Sequence, residues 1–405
     1  MKLAVNITRV LVGLLFIFSG LVKANDPLGL SYKMQEFFEL WGMTQFYSWT
    51  LGLSIFIIAF EIIAGIALLV GWQMRLFIWL LLLLIVFFTF LTGYAHLSGK
   101  FKNCGCFGDC IPISTKTSFL KDIILLLMIL FLYAGRKYIR PIFNERISML
   151  IMVLATVLSL GLQWWTLNHL PLVDCLPFKK GNNIIEQMQM PANAIPDSTV
   201  INFVYEKDGK QIEFTADKFP ADFSSDKYKF ISRYDKVVRR GKNNEPPIKG
   251  FALIGITNQD STQIVLDHEN ALLLICEDFK KPVSKWSGDF SALYQEAKFK
   301  QIPAYLVTTQ PEKAKEILAG SPFADIQVFK CDFTAIRTAA RTNPTVYLLN
   351  FGTVVDKWSY RNLEQATKKI RSLVVKYPDQ KPIPVDSLPG GQTGFPMPID
   401  SPKIR

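Results

Sequence analysis

Five long apolar runs occupy the first 167 residues: Val5–Val22, Leu51–Val70, Leu76–Leu97, Phe119–Ala134 and Ile147–Leu167. A helix that crosses a bilayer needs about 20 mainly apolar residues, so the pattern predicts five transmembrane helices. The third run holds the unbroken stretch Trp79 to Phe88. The first lacks a small-residue cleavage site and runs on into Gly20-Leu21-Val22-Lys23, unlike a removed signal peptide. Buried core helices of a large soluble protein would give similar runs, but five of them in so short a stretch argue against that. Between the first two runs, Met34, Phe37, Phe38 and Trp41 recur at i, i+3, i+4 and i+7, flanked by Tyr32, Tyr47 and Trp49. This is the signature of a short amphipathic helix, expected to lie on the lipid headgroups.

Beyond residue 167 the pattern changes. Val200–Tyr205 alternates, Asp208-Gly209 is a hairpin turn signal, and Gln211–Phe214 returns. Phe251–Ile256 is a further strand candidate. Further on, strands at Ala271–Cys276, Ala304–Thr308, Ile326–Phe329, Thr345–Asn350 and Val354–Trp358 are interleaved with helices at Trp286–Phe299, Glu312–Leu318, Phe333–Arg341 and Leu363–Val374. Such alternation predicts an α/β sheet. The expected layout is a transmembrane α-helical bundle at 1–167, a β-rich extension at 168–262, a soluble α/β domain at 263–376 and a tail at 377–405. The tail carries seven prolines and Gly390-Gly391, which predicts a disordered or extended segment.

Charge sharpens this division. Residues 1–167 carry 13 Lys/Arg and 7 Asp/Glu, whereas residues 168–405 carry 32 and 27. The net charge of +11 therefore splits almost evenly between the two parts and marks no concentrated basic patch, which excludes nucleic acid as an expected partner. The densest basic run, Arg136-Lys137-Tyr138-Ile139-Arg140 with Arg146, lies between two predicted spans and reads as a topology signal. The positive-inside rule places it in the cytoplasm. The N-terminus is then cytoplasmic, and the C-terminal domain is periplasmic in a Gram-negative inner membrane. Whatever the orientation, two crossings separate the loop after span three from the segment after span five. Cys104, Cys106, Cys110 and Cys175 therefore share one membrane face.

The loop Asn103-Cys104-Gly105-Cys106-Phe107-Gly108-Asp109-Cys110 carries the most distinctive chemistry. On an oxidising face the four cysteines have three open fates: structural disulfides, a redox-active pair, or a thiolate metal site. Four cysteines allow three pairings, between which sequence does not choose. A bond within Cys-Gly-Cys would close a small ring far from relaxed geometry, and strained disulfides are the labile, oxidising ones. Glu61 lies near the middle of span two, where an ionisable group is costly and a functional candidate: a proton relay, a quinone contact or a structural hydrogen bond. His96, near the end of span three, is a candidate thiol base, and Asp122, near the start of span four, poses the same choice as Glu61.

Arg9 to Lys23 with Asp26-Pro27, and Glu61-Ile62-Ile63-Ala64-Gly65, resemble the first two helices of the DoxX family. Asn103-Cys104-Gly105-Cys106-Phe107-Gly108 resembles the loop of its MauE branch. The resemblance covers about residues 1–135 and implies redox or disulfide handling at the outer face, with a quinone as the implied cofactor. A fifth span and a large C-terminal domain depart from the usual four-helix unit; the two-part layout resembles that of a Bacteroidota group. Asn343-Pro344-Thr345 through Gly352 resembles the thioredoxin-fold segment in which a cis-proline begins a strand, as in TlpA-like domains. The departure there is chemical: Glu277 to Pro282 stands where that family carries Cys-x-x-Cys, so no dithiol is present. Cys276 and Cys331 read as buried small residues, with a bond between them as an alternative. Pro344 would shape a client-binding groove.

Two functions follow as expectations. In one, the four loop and linker cysteines perform thiol–disulfide or quinone-linked chemistry on a periplasmic client. In the other, they are structural, and the protein is a non-enzymatic accessory subunit or chaperone-like scaffold of a membrane complex. The lipid bilayer is a partner in both.

Overall fold

The computed structural model describes residues 1–99, 101, 105, 108–239, 241, 243–280 and 282–373. Cys104, Cys106 and the tail at 377–405 lie outside the described residues.

Each predicted span is a helix: α1 (Lys2–Ala24), α3 (Thr50–Val70), α4 (Met74–Ser98), α5 (Thr115–Gly135) and α6 (Glu145–His169), with α2 (Pro27–Leu40) between the first two. These five are long and apolar enough to cross a membrane. The most enclosed is α3, because its small residues Ala59, Ala64, Gly65 and Ala67 let neighbours approach closely. A β-carbon on Gly13 of α1 would stand 2.9 Å from the Gly65 carbonyl oxygen, and one on Gly65 2.7 Å from that of Gly13. The two backbones therefore touch where neither residue has a side chain. The bundle core behind them is built from Val12, Phe16, Leu68, Ile78, Leu81 and Ile129.

The amphipathic helix α2 packs its apolar face on the bundle. Asp26 caps its N-terminus by accepting a hydrogen bond from the Gly29 amide at 3.1 Å, and Pro27 occupies the first turn. Leu30, Met34 and Phe37 are buried against the bundle and its loop, with Phe37 stacked 4.2 Å from Phe101. Its other face carries Tyr32 and Gln35 to the α/β domain.

After a one-turn helix α7 (Ile184–Gln187), the strands β1 (Ser198–Lys207), β2 (Lys210–Thr215) and β3 (Lys229–Arg239) form an antiparallel sheet of order β2-β1-β3. The predicted hairpin forms: Asp208 and Gly209 have φ of +50° and +72°, as a two-residue primed turn demands. One face of this sheet holds an aromatic cluster that includes Phe203, Tyr205, Phe214, Phe219 and Phe223. Strand β3 has no counterpart in the sequence-based expectation. Phe251–Ile256, expected as a strand, makes only isolated bridges at Ile254, to Asp260 and Lys330. The chain folds back there at once, with the Gly255 amide on the Gln259 carbonyl, and among the described residues no partner strand runs alongside.

The larger sheet follows α8 (Thr262–Leu266). Its elements are β4 (Ala271–Cys276), α9 (Ser287–Phe299), β5 (Ala304–Thr308), α10 (Pro311–Leu318), β6 (Gln327–Lys330), α11 (Phe333–Ala339), β7 (Thr345–Asn350), β8 (Thr353–Ser359) and α12 (Leu363–Ser372). The strand order is β6-β5-β4-β7-β8. Strand β5 runs parallel to β4 and to β6, whereas β7 is antiparallel to both β4 and β8. The continuous run Ala-Leu-Leu-Leu-Ile-Cys of β4 is wholly buried because both faces are covered. One core, under α9, α10 and α12, contains Leu272, Leu274, Cys276 and Phe290. The other, under α8 and α11, contains Leu273, Ile275, Phe329, Cys331 and Tyr347.

Candidate functional site

Two sets of polar side chains converge at the end of the bundle that carries the α/β domain. The first lies among the helices. Glu61 is 1% exposed, and its Oε1 accepts a hydrogen bond from Lys23 Nζ at 2.5 Å. Lys23 is itself 3% exposed and sits 5.0 Å from the centre of the Phe88 ring. Glu61 Oε2 is buried without a hydrogen-bond partner. Beside this pair, Asp122 accepts from Thr92 Oγ1 at 3.0 Å and is ion-paired with Lys121. Lys23, at the end of α1, and Lys121, near the start of α5, thus turn into the bundle to meet carboxylates. Burial explains this: an unpaired charge in this setting costs several kcal/mol, and a paired one far less.

A void beside Lys23, Glu61 and Asp122 has a volume of about 30 Å³, as does a second one beside Lys23, Met34 and Phe88. Each is room for one or two waters. A quinone ring does not fit either void.

The second set forms the joint between the bundle and the α/β domain. Arg341, just after α11, is 5% exposed and donates from Nε to Asp26 Oδ2 at 2.7 Å and from Nη2 to Asp109 Oδ2 at 2.8 Å. A third donor, Nη1, meets the Arg337 carbonyl at the end of α11. Burial disfavours the Arg341 charge, but Asp26 and Asp109 outweigh it and raise its pKa. One turn earlier, Arg337 donates to Glu277 at 2.9 Å and to Gln35 of α2 at 2.5 Å. Its guanidinium lies 3.7 Å from the Phe333 ring centre and 4.5 Å from that of Tyr32. Tyr32 in turn donates to Glu277 at 3.4 Å, and burial followed by the Glu277 charge raises its pKa.

The linker from α6 is fastened as tightly. Asn25 accepts from the Val173 amide at 2.9 Å and donates to the Val173 carbonyl at 2.8 Å. Lys357 of β8, 5% exposed, pairs with Asp174 at 2.5 Å. Burial lowers the Lys357 pKa, and Asp174 opposes that shift. Tyr360 donates to Asn168 at the end of α6 at 2.9 Å.

Cys110 and Cys175 form a disulfide between the loop after α4 and the linker after α6. A cleft of about 530 Å³ opens beside it, with Tyr32, Gln35, Asp109, Cys175, Arg337 and Arg341 in its wall.

The other sequence-derived candidates are placed as follows. His96 is exposed on α4 and stacks 6.3 Å from Phe119. Pro344 follows a cis bond to Asn343 and is buried. Asn343 ties the preceding turn to Glu277 and Asp278, accepting from the Glu277 amide at 3.1 Å and donating to the Asp278 carbonyl at 2.8 Å. Cys276 and Cys331 are both free and buried, on opposite faces of the sheet, so no bond joins them. Burial raises both thiol pKa values, that of Cys331 to about 11. Among the described residues, no group of three or more His, Cys, Asp or Glu side chains is placed to hold a metal.

Residues 1–135 match the model of the methylamine utilisation protein MauE. The match takes in α1 to α5 and the loop that supplies Asp109 and Cys110, but neither α6 nor the α/β domain. Residues 192–240 match a domain of unknown function (DUF8463), which covers the three-stranded sheet. No curated protein and no solved structure matches the chain. The MauE-like region thus supplies Asp26, Tyr32, Gln35 and Asp109 to the joint, and the part beyond it supplies Glu277, Arg337 and Arg341. Sequence reasoning missed Lys23 as the partner of Glu61 and missed the two arginines. The available signals were Asp26-Pro27 at a helix start and Asp109 inside the cysteine loop.

Proposed function

We propose that the protein is a non-enzymatic accessory subunit of a membrane complex, an inner-membrane scaffold whose periplasmic thioredoxin-like domain is docked on its own bundle. The carrying observation is the joint itself. The order β6-β5-β4-β7-β8, with β7 reversed, supports a thioredoxin-like domain in which Glu277 to Pro282 and the turn before β7 mark the face that would meet a disulfide. That face engages the bundle through Glu277, Arg337 and Arg341, and it carries no dithiol. The two thiols of the domain are buried and protonated at neutral pH. In this reading the N-terminus is cytoplasmic, the domain layout is 1–167, 168–262, 263–376 and 377–405, and Cys110–Cys175 is a structural staple.

One observation favours a second reading, thiol–disulfide chemistry for a periplasmic client: the Cys110–Cys175 bond borders the large cleft. There the disulfide would exchange with Cys104 or Cys106, and His96 would act as base.

A single comparison tests both. The full chain with Cys104, Cys106, Cys110 and Cys175 replaced by Ser is expressed beside the native chain, with folding checked by its elution in mild detergent. The scaffold reading expects both to copurify with the same membrane partner and to leave the thiol state of periplasmic proteins unchanged under mass tagging. Elution of the native chain alone, or a shift of client thiols in the Ser variant, overturns it.

A further inference from the structure

At the end of the bundle away from the α/β domain, a cleft of about 520 Å³ lies between the α3–α4 turn and the α5–α6 turn. Its floor is a fixed piece of backbone. The Ile142 amide donates to the Val70 carbonyl at 2.9 Å, and Arg9 Nη1 reaches the Arg140 carbonyl at 3.4 Å. Gly71, at φ +81°, has space for no side chain: a β-carbon there would come 2.7 Å from the Arg140 oxygen. The cleft is therefore built by the fold and is not a chance gap between loose turns.

Its wall carries Arg75, Arg136 and Lys137 against one carboxylate, Glu145. Among the described residues none of these three cations has an ion-pair partner. Arg136 and Lys137 are held over the rings of Tyr133 and Tyr138, at 4.4 and 5.4 Å. Two neutral donors add to the charge. Trp72 Nε1 and Ser148 Oγ, both from residues of the wall, are buried without a hydrogen-bond partner. The N-terminus of α4, which has no side-chain cap, also opens here, whereas that of α6 is capped by Asn144. Unpartnered donors in its wall, three cations without ion-pair partners among the described residues and the uncapped start of α4 make the cleft suited to a polyanionic oxygen ligand.

We propose that this cleft binds the phosphate headgroup of an anionic phospholipid, with the acyl chains running down the lipid-facing side of the bundle. The location favours a lipid over a soluble phosphate. The cleft sits at the ends of helices long enough to cross the membrane, and exposed apolar side chains such as Leu76, Trp79 and Ile147 continue below it. Basic pockets between helix ends at the bilayer surface are suited to such headgroups.

The test uses the full chain in nanodiscs and native mass spectrometry. Phosphatidylglycerol or cardiolipin is expected to remain bound where phosphatidylcholine does not. Removing each cation should weaken retention about fivefold, so R75Q/R136Q/K137Q should lose it by about two orders of magnitude. Trp72→Phe keeps the packing on Phe77 and alters no charge. It is expected to cost about tenfold through the lost indole donor. Equal retention of phosphatidylcholine, or unchanged retention in both variants, overturns the proposal. Displacement of the lipid by millimolar inorganic phosphate assigns the cleft to a soluble anion and overturns it equally.

Discussion

Replacing Arg341 by Met should loosen the joint without unfolding either side of it. The guanidinium is 5% exposed and touches Asp26, which is 11% exposed, and Asp109, which is 39% exposed. The Asp109 contact is open to solvent and contributes about 1 kcal/mol at most. The Asp26 contact is closed, and removing one partner of a buried pair costs about 3–5 kcal/mol because the other charge stays desolvated. The joint should therefore open at least about a hundredfold more often. Amide hydrogen exchange of α2 and α11 in the intact chain reads this directly, and exchange in the interior strand β4 should change little. Asp26→Asn keeps an oxygen for the Gly29 amide, so the cap of α2 survives. If desolvated charge is the cause, R341M/D26N should recover most of the loss, with a coupling of about 2 kcal/mol or more. Additivity of the two single changes within about 0.5 kcal/mol, or unaltered exchange in R341M, would refute the reasoning.

Glu61→Gln or Lys23→Met alone should lower the detergent-phase unfolding midpoint by the equivalent of about 3–5 kcal/mol, and K23M/E61Q should regain most of it; purely additive losses would show that the two do not act as a pair. Opening Cys110–Cys175, by C110S/C175S or by reductant, frees a loop spanning 65 residues of sequence. Chain entropy then predicts a loss of about 4 kcal/mol, seen as a lower thermal midpoint, and an unmoved midpoint would sink the staple. The raised pKa of Cys331 has a defined sign. The folded thiol stays protonated up to about pH 11 against 9.0 for the ordinary group. Its stabilising contribution is therefore complete below pH 9 and is lost as pH climbs from 9 toward 11, by about 3 kcal/mol in all. A Cys331→Ala chain whose midpoint falls as steeply over that window as the native one would remove this residue from the account.

The helices and the larger sheet were legible because their signals are local. Each span announces itself by an uninterrupted apolar run, and β4, β5 and β7 coincide with their expected bounds because strands buried on both faces read as continuous Val/Ile/Leu. Strand β3 was illegible for the opposite reason. Lys229, Arg233, Asp235, Lys236 and Arg239 give it the look of a solvated connector, and only its pairing with β1 makes it a strand. Phe251 and Leu253 misled in the other direction. Both are buried and alternate with the less buried Ala252 and Ile254, but they fill the core beside α11 from an irregular segment. Burial pattern reports where a side chain goes and leaves open what the backbone hydrogen-bonds to.

The joint was illegible for a stronger reason. Arg341 lies 315 residues from Asp26 and 232 from Asp109, so no local periodicity links them. The same is true of the Glu61 partner: Lys23 looks like a boundary charge until α1 and α3 cross at Gly13 and Gly65, which sets its side chain beside the carboxylate. In both places a lone charge in an apolar or helical context was visible, and its partner was not. The parity of the spans did carry one step of the long-range information, because it put Cys110 and Cys175 on one face. The disulfide then draws together the loop that presents Asp109 and the linker that presents Asp174. Arg341 and Lys357, from the two sides of the same turn and hairpin, close onto those acids. The covalent bond and the two ion pairs thus restrain one degree of freedom, the tilt of the α/β domain on the bundle. Loss of the disulfide should therefore weaken the Arg341 joint as well, and the two perturbations should be non-additive.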